Sequence, residues 1–126
     1  MKKILIFENE YADHEPAFKA INLLSFDNQL QITQYNTSQE LTNISNIDAY
    51  DAIIIDIDLS LKSHKDGFGI IQDIDTFNKD VLKKVMVLTG SSKVEEKLIE
   101  QGYDIRVAIK PIDIDQIADM LKDILK

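Results

Sequence analysis

The sequence predicts an α/β fold in which a parallel sheet is covered by helices on both faces. The first indication is a set of short apolar runs rich in β-branched residues, at 3–7, 52–55, 85–88 and 107–109. Such uninterrupted runs are typical of strands buried on both faces. The second indication is that a segment with helical spacing of apolar residues follows each predicted strand. Strands and helices that alternate in this way form parallel sheets with right-handed crossovers.

Length and composition predict one domain over residues 1–126, with no output domain in this chain. The net charge of -8 argues against direct binding to nucleic acid or to an anionic membrane, because both need a basic surface. The absence of cysteine excludes disulfides and thiolate chemistry. No apolar stretch has membrane-spanning length and no signal peptide is present, so we expect a cytoplasmic protein. His14 and His64 are expected to be solvated surface residues.

The first strand is expected at 3–7, and it ends in the polar cluster 8–10. The helix after it contains Pro16, which a first helical turn tolerates because the N–H groups of that turn have no helical partner. The buried face of this helix is expected to carry Ala17, Ile21 and Leu24.

The second and third strands differ in character. Residues 31–35 alternate polar and apolar side chains, which indicates an edge or half-exposed strand. Residues 37–40 have the spacing of a capping box, which predicts a short helix through Leu41 and Ile44. The third strand, 52–55, is the central one, and its apolar run stops at Asp56.

The second half of the chain repeats the pattern. A polar loop is predicted at 60–69, followed by a helix with Ile70, Ile74 and Phe77 on one face. The fourth strand, 85–88, ends at Thr89.

The last elements follow from cap signals. Residues 92–95 form a second capping box, and Gly102 stands where that helix is expected to end. The fifth strand, 107–109, ends at Lys110. The final helix opens at 113–116, and its apolar stripe is Ile114, Ile117, Leu121, Ile124 and Leu125.

Polar side chains follow four of the predicted strands: residues 8–10, Asp56 with Asp58, Thr89, and Lys110. The carboxyl ends of parallel strands share one edge of the sheet, where open α/β sheets bind ligands. Acidic oxygens suit a hard cation such as Mg²⁺. A hydroxyl and an ammonium suit phosphoryl oxygens, and an aspartate between them is a credible nucleophile for phosphoryl transfer.

The whole sequence resembles the receiver domain of two-component response regulators. The resemblance rests on five motifs: the first strand with its acidic cluster (4–10), the phosphoacceptor strand (50–56), the aspartate–glycine pair (66–67), the switch-threonine strand (86–90) and the lysine–proline motif (109–111). It implies a flavodoxin-like, doubly wound, five-stranded parallel sheet in the order 2-1-3-4-5, with five helices.

The resemblance also implies a role for the strand-end residues. Asp56 would accept a phosphoryl group from a histidine kinase or phosphotransfer protein. Glu8 and Asn9 would hold Mg²⁺ together with Asp56 and the backbone carbonyl of Asp58. The protein would then be no enzyme in the usual sense, but a phosphoacceptor that assists its own phosphorylation and dephosphorylation.

Further roles concern the phosphorylated state. Lys110 would contact the phosphoryl group and Thr89 would close on it, while Asp58 and Ser91 would tune dephosphorylation. The signal would pass to a downstream protein partner through the fourth helix, fifth strand and fifth helix, about 92–126. A homodimer through the same face is a further possibility, with no direct contact to nucleic acid or membrane.

The sequence departs from the family pattern at several places. Asn9 stands where a second aspartate is usual, so we expect weaker Mg²⁺ binding. Val107 replaces the tyrosine or phenylalanine that often acts as the switch aromatic, so we expect a muted response on the output face. Ser60 replaces a common proline, and the loop from 56 to 67 is a few residues longer than usual.

Two alternatives remain open from the residues. One is an interaction module that does not need phosphorylation, which Asn9 and Val107 motivate. The other is a haloacid-dehalogenase-type phosphatase, because residues 54–58 resemble its nucleophile motif. That family needs acidic metal ligands on a further strand after the lysine. Here the later aspartates are spread along a predicted helix: Asp113, Asp115, Asp119 and Asp123.

Overall fold

The computed structural model describes residues 1–59 and 61–126. Within them, one sheet of five strands runs in the order β2-β1-β3-β4-β5, and all neighbouring strands are parallel. The predicted order 2-1-3-4-5 is therefore confirmed. The strands are β1 (Lys2–Phe7), β2 (Leu30–Tyr35), β3 (Ala52–Asp56), β4 (Val85–Thr89) and β5 (Arg106–Ile109).

The α-helices in the described part of the chain are α1 (Tyr11–Phe26), α2 (Gly67–Phe77), α3 (Val94–Glu100) and α4 (Ile114–Ile124). The fourth and fifth predicted helices correspond to α3 and α4. The helix predicted between β2 and β3 is replaced by two 3₁₀ segments, and a third 3₁₀ segment precedes β4. These segments are Ser38–Glu40, Ile44–Ala49 and Lys79–Lys84. No described helix is long and apolar enough to cross a membrane.

The prediction of a helix through Leu41 and Ile44 is wrong because the capping box does not form. The Thr37 side chain caps no backbone N–H, and its hydroxyl lies 3.4 Å from Glu40 Oε1 instead. Leu41 has an extended backbone, which ends the first 3₁₀ segment. The second 3₁₀ segment starts after Asn43, whose side chain accepts a hydrogen bond from the backbone N–H of Ser45.

Helices cover both faces of the sheet, as predicted. Side chains alternate along β1, so Ile4 and Ile6 pack on one face while Leu5 and Phe7 pack on the other. The first face is covered by α1 and α4, and the second by α2 and α3. The helical residues in these two cores are Phe18, Ile21, Ile117, Ala118 and Leu121 on the first face, and Ile70, Ile71, Ile74, Val94 and Leu98 on the second.

Helix α1 begins earlier than the sequence suggests, so Pro16 is its sixth residue and not part of its first turn. The buried side chains are Phe18 and Ile21, whereas Leu24 is 74% exposed. Phe18 and Ile21 pack in the core on the sheet, which sets the helix rotation, and Tyr11 stacks on Phe18 with ring centroids 5.8 Å apart. Leu24 was therefore wrongly placed on the buried face.

Helix α2 starts inside the predicted loop because Asp66 caps it. The Asp66 side chain accepts a hydrogen bond of 2.9 Å from the backbone N–H of Gly69. Ile70 and Ile74 are buried as predicted, while Phe77 is 39% exposed at the helix end. Ser60, where a proline is common in the family, lies outside the described residues.

The caps of the last helices were partly predicted. The second capping box does not form, because α3 begins at Val94 after Lys93, with no side-chain cap. Gly102 follows α3 with a φ of +86°, which confirms the predicted helix end. Asp113 caps α4 by accepting a hydrogen bond from the backbone N–H of Gln116, as expected.

Candidate functional site

The carboxyl edge of the sheet brings three polar side chains into the protein interior. Glu8 follows β1, Asp56 ends β3 and Thr89 ends β4. Glu8 and Thr89 are fully buried, and Asp56 is 3% exposed. Carboxylates are almost never so buried unless they are paired, so a partner for both is expected.

That partner is Lys110, which follows β5. Its Nζ lies 3.0 Å from Glu8 Oε2 and 3.3 Å from Asp56 Oδ2. Its backbone N–H donates a 2.7 Å hydrogen bond to the Thr89 carbonyl, which positions the residue beside β4. One ammonium is thus shared between two buried carboxylates. The sequence placed these residues at the same sheet edge but did not identify this pairing.

The burial of Asp56 changes its acidity. Removal from water and the nearby Glu8 charge raise the pKa of Asp56 to about 7. Two groups oppose this rise: the Lys110 ammonium, and the backbone N–H of Asp58, which donates a 3.1 Å hydrogen bond to Asp56 Oδ1. The Asp56 carboxyl group therefore changes its charge near neutral pH.

Lys110 keeps its charge at this pH. Burial by itself would lower the pKa of Lys110, but hydrogen bonding and charge attraction from Glu8 and Asp56 outweigh it and raise the pKa. The site therefore holds one fixed positive charge next to a carboxyl group that titrates.

The aspartate–glycine pair of the sequence packs against the end of β3. The backbone N–H of Gly67 donates a 3.0 Å hydrogen bond to the Ile57 carbonyl. A Cβ on Gly67 would lie 2.6 Å from Ile57 Cα and 2.7 Å from the Asp56 carbonyl oxygen. Only glycine therefore allows α2 to approach the Asp56 backbone this closely.

The remaining predicted residues lie in the loops beyond the strand ends. Thr89 Oγ1 accepts a 3.1 Å hydrogen bond from the backbone N–H of Ser91, so the hydroxyl supports the turn after β4. Asn9 is half-buried, and the side chains of Asp58 and Ser91 are exposed. The structure thus joins Glu8, Asp56 and Lys110 directly and arranges the other predicted residues around them.

The donor set of this edge fits a hard cation. Glu8 and Asp56 offer carboxylate oxygens, and Asn9 and Asp58 can add an amide and a backbone carbonyl oxygen. Oxygen ligands of this kind, including one or two carboxylates, are those that Mg²⁺ takes in proteins.

Sequence reasoning missed a second group of candidate ligands beside Glu8. Ligand atoms of Glu8, Glu10 and His14 all lie within 4.8 Å of one another. His14 was expected to be solvated, but it is half-buried, and its Nε2 is a buried atom without a hydrogen-bond partner in the described part of the chain. The helical start at Tyr11, which the sequence did not reveal, places His14 in the first turn of α1.

A cavity of about 280 Å³ lies apart from the strand-end site, next to β2 and the second 3₁₀ segment. Lys3, Thr33, Tyr35 and Tyr50 are among its lining residues, and the lining contains no carboxylate. Its chemistry does not match the charged site, so we place the candidate function at the carboxyl edge of the sheet.

Solved structures with the same fold cover nearly the whole chain. The non-phosphorylated HemR receiver domain from Leptospira biflexa aligns with 99% of this chain and 94% of its own, at 18% identity and a TM-score of 0.75. A CheY-like response regulator receiver domain protein from Methanospirillum hungatei JF-1 aligns with the same shares of the two chains, at 17% identity and a TM-score of 0.74.

A third structure is more similar in sequence. A two-component transcriptional regulator AraC from Clostridium phytofermentans is 27% identical, with 99% of this chain and 92% of that chain covered and a TM-score of 0.72. No protein-family model matches the sequence, and no curated protein matches it.

Proposed function

Because the chain has the fold of response-regulator receiver domains, we propose that it is the phosphoacceptor domain of a two-component signalling system. In this proposal Asp56 takes a phosphoryl group from a phosphohistidine on a histidine kinase or phosphotransfer protein, and the domain acts in the cytoplasm. The observation that carries the proposal is the Lys110 ammonium held between Glu8 and Asp56, 3.0 and 3.3 Å from their carboxylate oxygens.

The transfer needs a nucleophile and compensation of negative charge. A carboxylate oxygen of Asp56 attacks phosphorus while the bond from phosphorus to the histidine nitrogen breaks. The donor ring, protonated on its other nitrogen, leaves as neutral imidazole, and an acyl phosphate forms on Asp56. Lys110 lies 3.3 Å from Asp56 Oδ2, where it can neutralise the incoming phosphoryl oxygens.

Mg²⁺ would be held by Glu8, Asp56, the Asn9 amide oxygen and the Asp58 backbone carbonyl, and when bound it supplies further neutralisation of phosphoryl oxygens. The fit rests on the two buried carboxylates, since hard cations prefer charged oxygen ligands. The Asn9 amide contributes an oxygen but no charge, so this site is expected to bind Mg²⁺ more weakly than one with a second aspartate.

Asp56 is a better phosphoacceptor than Asp58 on three grounds. Asp56 is buried at the end of β3, it pairs with Lys110, and the Asp58 backbone N–H orients its carboxylate. The Asp58 side chain is exposed, and its place two residues later suits control of the lifetime of the phosphoryl group.

The signal would leave through the face formed by α3, β5 and α4, which would contact a downstream protein or a second copy of the chain. Val107 in β5 is half-buried and packs against the core under α2 and α3. It cannot provide an aromatic ring that moves inward with Thr89. We therefore expect a smaller or differently routed change on this face.

Acetyl phosphate tests the proposal without knowledge of the kinase. Incubation with acetyl phosphate and Mg²⁺ should add one phosphoryl group to the wild-type chain, measured by intact mass. Asp56→Asn should abolish the addition, and the matched control Asp58→Asn should keep it. Addition that survives Asp56→Asn but not Asp58→Asn would reverse the assignment.

An interaction module that works without phosphorylation is the second candidate. Asn9 and Val107 favour it, because one removes a charge from the predicted Mg²⁺ site and the other removes the switch aromatic. The same experiment separates the two functions. No addition to the wild-type chain at high Mg²⁺, under conditions in which a known receiver domain is phosphorylated, would support the interaction module.

A further inference from the structure

Glu8, Glu10 and His14 form a cluster of a different chemical kind from the predicted Mg²⁺ site. It combines two carboxylates with an imidazole, and its ligand atoms lie within 4.8 Å of one another. We infer that this cluster is a second metal site, selective for a transition-metal dication such as Zn²⁺. The inference goes beyond the proposed signalling function and does not depend on phosphorylation.

The local structure holds two of the three ligands in place. Glu8 is fully buried at the end of β1, and its Oε1 accepts a 3.0 Å hydrogen bond from the backbone N–H of Glu10. Glu10 immediately precedes α1 and His14 is the fourth residue of the helix, and their ligand atoms lie within 4.8 Å of each other. Glu10 is exposed, so its side chain can rotate toward the other two.

Two buried polar atoms in this cluster lack hydrogen bonds in the described part of the chain. Glu8 Oε2 has the Lys110 ammonium 3.0 Å away as an ion-pair partner but no hydrogen bond, and His14 Nε2 has no partner. A buried polar atom without a partner is costly and uncommon in proteins. Lys110 already compensates Glu8 Oε2, whereas His14 Nε2 has no partner, and a bound cation would supply one.

The spacing is close to that of a coordination site. Zinc binds imidazole nitrogen and carboxylate oxygen at about 2.0–2.2 Å, so two ligand atoms in a tetrahedral site lie about 3.4 Å apart. Distances of up to 4.8 Å therefore need a contraction of no more than about 1.4 Å, which takes small rotations of the Glu10 and His14 side chains. Three protein ligands would leave a fourth position for water or an exogenous group.

The imidazole decides the choice of metal. Mg²⁺ prefers oxygen ligands and keeps most of its waters, whereas imidazole suits Zn²⁺, Ni²⁺, Cu²⁺ and Fe²⁺. Since Glu8 is shared with the predicted Mg²⁺ site, Zn²⁺ at the cluster would compete with Mg²⁺ for this carboxylate. The chain would then respond to transition metals in a way that depends on His14.

Zn²⁺ binding to the whole chain tests the inference directly. We expect binding by calorimetry against a chelator of known affinity, with His14→Ala and Glu10→Gln each weakening it by about tenfold or more. Losses of that size are seen even for the outer-shell partners of metal ligands. The exposed His64 is the matched control, and His64→Ala should leave the affinity unchanged.

Asp56→Asn separates this site from the predicted Mg²⁺ site, since Asp56 is not one of the three ligands. It should change Zn²⁺ affinity less than His14→Ala or Glu10→Gln does, and Zn²⁺ should shift the ring resonances of His14 but not those of His64. Glu10→Gln changes an exposed side chain, so it keeps the test valid if His14→Ala disturbs α1. The inference is overturned if wild type does not bind Zn²⁺, if His14→Ala and His64→Ala bind alike, or if only Asp56→Asn weakens binding.

Discussion

The buried carboxyl group of Asp56 should make the stability of the protein depend on pH in a way that a single substitution removes. Its pKa is raised from 3.8 to about 7, first by burial and then by the Glu8 charge. The folded state therefore binds this proton more tightly than the unfolded state. Its stabilising effect is complete below the unfolded pKa, and it is lost as the pH rises toward the folded pKa of about 7.

The size of the effect follows from the two pKa values. Each pKa unit corresponds to about 1.4 kcal/mol. The rise from 3.8 to about 7 therefore lowers the free energy of unfolding above pH 7 by at most about 4 kcal/mol. Between pH 5 and pH 8 the same linkage, reduced by solvent screening, lowers the free energy of unfolding by about 2 kcal/mol.

Asp56→Asn removes the titrating group while keeping its shape. Relative to wild type, the free energy of unfolding of the variant should rise by about 2 kcal/mol when the pH is raised from 5 to 8. Urea unfolding of both proteins at the two pH values, with a chelator present, measures the change. The exposed Asp58→Asn is the control, because it removes a carboxylate outside the buried pair. The electrostatic account is refuted if Asp56→Asn and wild type differ in free energy of unfolding by the same amount at both pH values.

Four further predictions concern the site and its surroundings. Asn9→Asp should tighten Mg²⁺ binding by about tenfold, roughly 1.4 kcal/mol, because it adds a charged oxygen; calorimetric titration measures this. Asp58→Asn should change the dephosphorylation rate, followed by intact mass after removal of the phosphodonor. Gly67→Ala should destabilise the fold by about 1–3 kcal/mol in urea unfolding, because its Cβ would lie 2.6 Å from the β3 end, whereas Gly90→Ala meets no atom within 4 Å and should be mild. Amide shifts on beryllofluoride binding should be small around Val107.

Each of these has an outcome that contradicts it. Equal Mg²⁺ affinities in wild type and Asn9→Asp would mean that other side chains already complete the site. An unchanged dephosphorylation rate would make Asp58 a bystander. Equal losses of stability in Gly67→Ala and Gly90→Ala would contradict the close approach of α2 to the end of β3. Large amide shifts centred on Val107 would contradict the expected small response of the face formed by α3, β5 and α4.

The three inner strands, β1, β3 and β4, were predictable because they are buried on both faces. Their apolar runs are continuous, and no helical period competes with them, so even their ends were located to within about a residue. The order of the strands came from the family resemblance, since strand composition does not specify neighbours. The shared sheet edge of Glu8, Asp56, Thr89 and Lys110 followed from that topology.

The helices were less predictable because their signals are local. The Thr37–Glu40 spacing reads as a capping box, yet Leu41 turns toward the core under α2 and α3, and the helix stops. In α1, the apolar spacing fitted a face with Leu24, but the packing of Phe18 and Ile21 in the core sets another rotation. Tertiary packing overrode propensity in both places.

The unpredicted part of the site depends on side-chain burial. The sequence gives no sign that Lys110 is shared by two carboxylates, or that the pKa of Asp56 rises toward neutrality. His14 read as a solvated residue because its burial depends on where α1 begins and how it rotates. A prediction of α1 from Tyr11 would have placed His14 one turn after Glu10.

Chemical mapping of the phosphoryl group tests the central claim most directly. Borohydride reduces an aspartyl phosphate to homoserine with release of phosphate, so the modified residue is marked permanently. After treatment with acetyl phosphate and Mg²⁺, peptide sequencing by mass spectrometry should find homoserine at position 56 and nowhere else. Homoserine at position 58, or none at all while a known receiver domain is marked in parallel, would contradict the account.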